Sequence, residues 1–150
     1  MAKNAGKLWE KKCTDALHEQ GYHLVIRFPD VYLGYRGAVG VKSPPDLLAV
    51  NSIEVALIEC KAQKITDKSQ RMPLAKIRDH QLDYLTTFHR EGPSNTHSYI
   101  AACYYNALRG KARIFEGYLI RFDEWESHEN VTGRKSISLT EARKLYRRIA

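Results

Sequence analysis

The sequence predicts an α/β (α+β) fold in which a central mixed β-sheet is flanked by helices. Three observations predict it. Apolar residues recur at steps of three and four through residues 5–20 and 74–90. Short apolar or alternating runs at 22–28, 46–50, 54–61, 98–105 and 112–120 read as strands. The resulting order of helix, strand, hairpin, helix, hairpin, helix requires a sheet with helices packed against it. With 150 residues, 43% of them apolar, the chain is expected to form one domain spanning 1–150.

The elements follow in order. In the first helix Trp9, Cys13, Ala16, Leu17 and Gln20 share a face, and Gly21 supplies the stop. Tyr22 to Phe28 reads as a strand. Residues 29–45 hold Gly34, Gly37 and Gly40 among Tyr32, Tyr35, Arg36 and Lys42 and read as a mobile loop or ragged hairpin. Asp46 to Val50 and Glu54 to Lys61 form a hairpin around Asn51-Ser52-Ile53. A polar, basic stretch at 62–73 ends at Pro73, and the second helix carries Leu74, Ile77, Leu85 and Phe88 on one stripe. Gly92-Pro93-Ser94-Asn95 is a turn, and Asn106 to Lys111 joins the last strand pair. Ser138-Leu139-Thr140-Glu141 is a capping box that opens the final helix through Tyr146.

Lys and Arg number 24 against 17 Asp and Glu, a formal charge of +7, which favours a polyanionic partner. Cys13, Cys60 and Cys103 form no C-x-x-C and are expected to be reduced thiols of a cytoplasmic protein. No apolar run approaches the ~20 residues of a membrane span, and the basic start lacks the hydrophobic stretch of a signal peptide.

Chemistry concentrates in Pro45-Asp46 and, 13 residues after Asp46, Glu59-Cys60-Lys61. If opposing residue numbers in the hairpin sum to 105, Val50 faces Val55 and Asp46 faces Glu59. Directly opposed side chains have Cβ atoms about 5 Å apart. Glu59 and Lys61 share a face and continue the apolar row of Val55 and Leu57, while Cys60 points to the other face. Two carboxylates at that range repel, more so when buried. A divalent cation between them removes the conflict, and hard oxygen donors at about 2.1 Å suit magnesium, with manganese as a substitute. Such an ion lowers the pKa of water and stabilises charge on a phosphate. Lys61 has the chemistry to orient that water or to neutralise the transition state.

Two helical residues are expected to converge there. Glu10 lies at the margin of the first helix's apolar face, about 20° from Leu17, as a further metal ligand, direct or through water. Gln81 is four residues from both Ile77 and Leu85, inside the apolar stripe, and a buried amide needs partners. Cys60 joins Asp46, Glu59 and Glu10 in the expected metal set, although its side chain reads as a small core residue. Other chemistries fail. Gly40-Val41-Lys42-Ser43 breaks the order of a P-loop, and His18-Glu19 is followed by histidine at 23 rather than 22.

This ordered set resembles the PD-(D/E)xK nuclease superfamily and, within it, the RecU-type Holliday junction resolvases. Archaeal-type resolvases share the same core and a similar short length. Gly6-Lys7-Leu8-Trp9-Glu10 resembles the start of the family's first helix, the run from Met72 to Gln81 its segment after the E-x-K strand, and Gly133-Arg134-Lys135-Ser136-Ile137 a run near its C-terminal part. The resemblance implies a restriction-endonuclease-like core and a metal-dependent endonuclease that cuts four-way DNA junctions as a homodimer. Asp46 and Glu59 would hold magnesium, Lys61 would serve the attacking water, and Glu10 and Gln81 would support the site. The chain departs from the pattern in carrying Ser43-Pro44-Pro45 before the aspartate, and in a shorter stretch where the family has a projecting stalk. The rival readings are another nuclease of the superfamily, whether restriction-like, repair or exonucleolytic, and a non-catalytic basic DNA-binding protein.

Residues 61–78 contain Lys61, Lys64, Lys68, Arg71, Lys76 and Arg78 against Asp67 alone, six positive charges to one negative. Phosphate contacts from this segment give salt-dependent binding without sequence readout. Lys7 extends the positive charge along the first helix, and Tyr35 and Arg36 in the glycine-rich loop are expected to insert at a junction or stack on a base.

Overall fold

The computed structural model describes residues 4–29 and 44–150. Helix α1 (Ala5–Glu19) leads into strand β1 (Leu24–Arg27), followed by β2 (Leu47–Val50) and β3 (Val55–Lys64). A short β4 (Arg71–Pro73) and a 3₁₀ turn (Leu74–Lys76) precede α2 (Asp79–Glu91). The long hairpin of β5 (Thr96–Leu108) and β6 (Lys111–Arg121) comes next, then α3 (Phe122–Thr132), β7 (Ser136–Ser138), α4 (Leu139–Leu145) and β8 (Arg147–Arg148). The main sheet has six strands in the order β1-β2-β3-β5-β6-β8. Only β3 and β5 run parallel, so the sheet is mixed as expected. β4 and β7 form a separate two-stranded ladder.

The sheet has a core on each face. On one side α1 buries Trp9, Cys13, Ala16 and Leu17 against Leu47, Ala49, Ile58, Ala101 and Cys103. Trp9 Nε1 donates to the Ala101 carbonyl at 2.7 Å and satisfies the buried indole. The ring lies so close to β6 that a Cβ at Gly117 would stand 2.2 Å from the Trp9 ring, so only glycine fits there. On the other face Leu85 of α2 and Phe122 and Trp125 of α3 pack with Leu57, Ile100, Tyr104 and Ile120.

The β2–β3 register pairs Val50 with Val55 and Leu47 with Ile58, the expected sum of 105. The turn that fixes it is closed by the Asn51 side chain, whose Oδ1 accepts from the amides of Ile53 and Glu54, both at 2.8 Å. The final capping box is also present: Ser138 Oγ accepts from Glu141 N at 3.0 Å, and Glu141 Oε1 accepts from Ser138 N at 3.1 Å.

Three expectations are corrected. The second helix starts at Asp79 rather than residue 74. β4 pairs with β7, and Leu74 N bonds the Lys135 carbonyl at 3.0 Å, so this stretch is held by the far end of the chain. The second strand of the hairpin does not end at Lys61, because β3 runs on to Lys64 alongside β5. Helix α3 was not anticipated; only Phe122, Trp125 and His128 are buried, a stripe too sparse to announce a helix.

Candidate active site

Glu59 sits in the middle of β3 and is 3% exposed. Strand alternation turns it toward α2, where Gln81 Nε2 donates to Glu59 Oε1 at 2.6 Å. The Lys61 ammonium lies 3.1 Å from the same oxygen. Gln81 also folds its own Oε1 back to accept from Arg78 N at 3.0 Å, so one amide both caps α2 and orients the buried carboxyl. Asp46 enters from the start of β2, and its Oδ2 accepts from Cys60 N at 2.8 Å. The hairpin thus carries Asp46 to the residue next to Glu59, a consequence of the observed register.

The electrostatics show the expected conflict. Burial pushes the Glu59 carboxyl up to about 7, and the negative charge of Asp46 adds to the rise. Lys61 opposes it, and Glu10 adds a smaller upward push. Glu10 therefore acts electrically on the same spot from α1. It is held there by Arg27 of β1, whose Nε donates to Glu10 Oε2 at 2.8 Å. Arg27 was not singled out from the sequence. Its signal was position: it stands opposite Leu47, one residue from Asp46.

The remaining expected residues divide by direction. Lys64 and Lys68 are exposed at and beyond the end of β3. Lys7 is exposed and lines a cleft of about 420 Å³ with Glu10, Lys11, Thr14, Asp15 and Arg27. Lys76 folds back onto the end of β3. Its ammonium bonds the Ala62 carbonyl, and Gln63 Oε1 at 3.0 Å, and burial holds it below its ordinary pKa. Arg71 turns to the C-terminal lobe, donating to Ser136 Oγ and Glu141 Oε1, both at 2.7 Å. Cys60 faces away from the carboxylates. Its thiol packs with the α1-side core and is held well above its ordinary pKa, first by a hydrogen bond with Cys13 and then by burial. Tyr35 and Arg36 lie outside the described residues.

Among the described residues, no group of three or more His, Cys, Asp and Glu side chains is gathered closely enough to hold a metal by itself. The donor chemistry still fits a hard divalent cation. Two carboxylates meet, and burial together with the charge of Asp46 drives Glu59 toward protonation, a conflict that a cation held between them would relieve.

The family model for the archaeal Holliday junction resolvase (Hjc) matches residues 1–149. The chain belongs to that family. Of the two resolvase types that the sequence resembles, it falls with the archaeal one. Archaeal Holliday junction resolvases are nucleases of DNA recombination and repair, which sets aside the non-catalytic reading. Among solved structures the chain is similar to Hjc, a Holliday junction resolvase from the archaeal hyperthermophile Archaeoglobus fulgidus. The TM-score is 0.57 at 18% identity, over 95% of this chain and 94% of that one, a likeness of fold. Comparison with curated proteins returns no match.

Proposed function

We propose that this archaeal-type resolvase cuts four-way DNA junctions at the site built from Asp46, Glu59, Lys61, Gln81 and Glu10, with magnesium as its ion and manganese as a substitute. The observation that carries the reading is the buried Glu59 carboxyl, which meets the charge of Asp46 and is held by Lys61 and Gln81 through one oxygen. Asp46 and Glu59 would hold the ion, with Glu10 acting through water because Arg27 engages it directly. Bound magnesium supplies a more acidic water and offsets charge on the scissile phosphate.

The protein's own groups do the rest. Gln81 locks the Glu59 rotamer so that its second oxygen keeps a fixed direction. Lys61, with a side chain 17% exposed, is partly shielded from solvent, and its ammonium can hold the attacking water or meet charge developing on the phosphate. Exposed Lys64, Lys68 and Lys7 attract the backbone without reading sequence. A homodimer would present two such sites to opposing strands of the junction. None of the described helices is long and apolar enough to cross a membrane.

The test is cleavage of a four-way junction, and of linear duplex with the same arm sequences, by wild type and Asp46→Asn in magnesium or manganese. Wild type is expected to nick the junction and spare the duplex, while Asp46→Asn binds the junction and leaves it whole. Equal cutting of both substrates would instead point to another nuclease activity on this core. Loss of binding together with cleavage in Asp46→Asn would assign that residue to folding.

A further inference from the structure

The β5–β6 hairpin outruns the sheet that carries it. β3 accompanies β5 only as far as the Lys64–Tyr105 pair, and β8 touches β6 only at Tyr118 and Leu119. Beyond that point Asn106–Arg113, Ala107–Ala112 and Leu108–Lys111 pair with each other alone among the described residues. The register slips between Tyr104 and Tyr105, and such a bulge adds twist and bends the ribbon that follows. From Tyr99 through Phe115 there is no acidic residue, yet the tip carries Arg109, Lys111 and Arg113. All three are exposed, and none makes an ion pair among the described residues.

Direction and strain give the charge a purpose. Ile114 packs into the α1-side core, so alternation turns Arg113 and Lys111 to the opposite face, which carries Glu59 and Lys61. At the turn Arg109 has φ 51° and Gly110 φ 76°. Positive φ at both central residues is a type I′ turn, whose first position favours Asn, Asp or Gly. Arg109 is the only described non-glycine residue with positive φ, so a cation occupies a position where its backbone is strained.

We propose that this hairpin tip is a DNA-gripping arm whose Arg109, Lys111 and Arg113 contact backbone phosphates of a duplex arm of the substrate. The inference rests on the reading that the Glu59–Lys61 face receives branched DNA. Lys61 is in register with Ala102, six residues before Leu108. At about 3.3 Å per residue the tip therefore stands roughly 20 Å from the catalytic lysine. At 3.4 Å per base pair, that is roughly six base pairs from the cut. Exposed Lys64 and Lys68 lie at the end of β3 nearest the arm. A two-stranded ribbon fits a major groove about 12 Å wide, so the arm can follow the groove and hold phosphates on its rim.

The test is junction binding in chelator across a range of salt, for wild type, Arg109→Asn, and the triple variant Arg109→Ala, Lys111→Ala, Arg113→Ala, with hydroxyl-radical protection of the DNA. Each phosphate contact contributes about 0.9 to the slope of log affinity against log salt. The triple variant is expected to lower that slope by about 2 to 3 and to weaken binding at least about tenfold near physiological salt. Protection about six base pairs from the cut should vanish. Arg109→Asn relieves the turn, so it should melt no lower than wild type while its slope falls by about 1. An unchanged slope and footprint in the triple variant would overturn the arm and leave the nuclease reading intact. Wild type that binds junctions with the full slope but never cuts them would overturn the nuclease reading and spare the arm. Arg109→Asn reports on the arm independently if the triple variant fails to fold.

Discussion

Replacing Glu59 with glutamine should make the metal-free protein more stable and inactive at once. In the fold the carboxyl titrates near 7 instead of 4.5. Between those values the folded state keeps a proton that the unfolded chain has released, so stability falls as pH rises through the window. A shift of that size corresponds to about 3 kcal/mol lost by pH 8 and to under about 1 kcal/mol at pH 5. Glutamine is neutral throughout, and its Oε1 can still accept from Gln81 and Lys61. Glu59→Gln is therefore expected to gain about 3 kcal/mol at pH 8, or roughly 6–12 °C in Tm for a chain of this size. It should gain little at pH 5. The assay is urea unfolding with chelator at both pH values, read as a shift in midpoint at constant slope. An equal change at the two pH values, or a loss at pH 8, would refute the claim that a buried ionised carboxylate is being forced on the fold.

Other consequences can be measured separately. Lys61→Ala should slow single-turnover junction cleavage at least about a hundredfold, the low end for loss of a group aimed at developing charge, while junction affinity measured in chelator changes little. Gly117→Ala should cost about 2 kcal/mol in urea unfolding, because the new methyl meets the Trp9 ring at 2.2 Å. Glu116 is buried and held by Arg143 at 2.6 Å, which keeps its carboxyl below the ordinary range. That contribution is present above the unfolded pKa and is lost as pH falls through the depressed one, so Glu116→Gln should unfold more easily at neutral pH, by about 2 kcal/mol, and show a flatter acid limb.

How much was legible depended on whether the deciding contacts were local. The β2–β3 register followed from pairing the strands about their turn, even though Ser52-Ile53 is a poor two-residue connection. The Asn51 side chain compensates by capping two amides. That register, together with strand alternation, placed Asp46 near Glu59 and Lys61 on the same face. Gln81 was visible as a polar residue inside an apolar stripe, and its partner is the carboxyl itself. The start of α2 was not legible, because β4 and Leu74 are held by residues more than 60 positions away. Counting charge over 61–78 gave the sign of the segment but not its directions. Lys76 folds onto the Ala62 carbonyl and Arg71 onto Glu141, while Lys64 and Lys68 remain exposed.

The Trp9 indole, bonded to Ala101 and seated on Gly117, immediately precedes Glu10 in the chain. Its anchorage acts as a surveyor's fixed mark. The acidic neighbour inherits its position from a helix bolted to the central strands. Loosening the indole would therefore blur the alignment of chemistry it never touches.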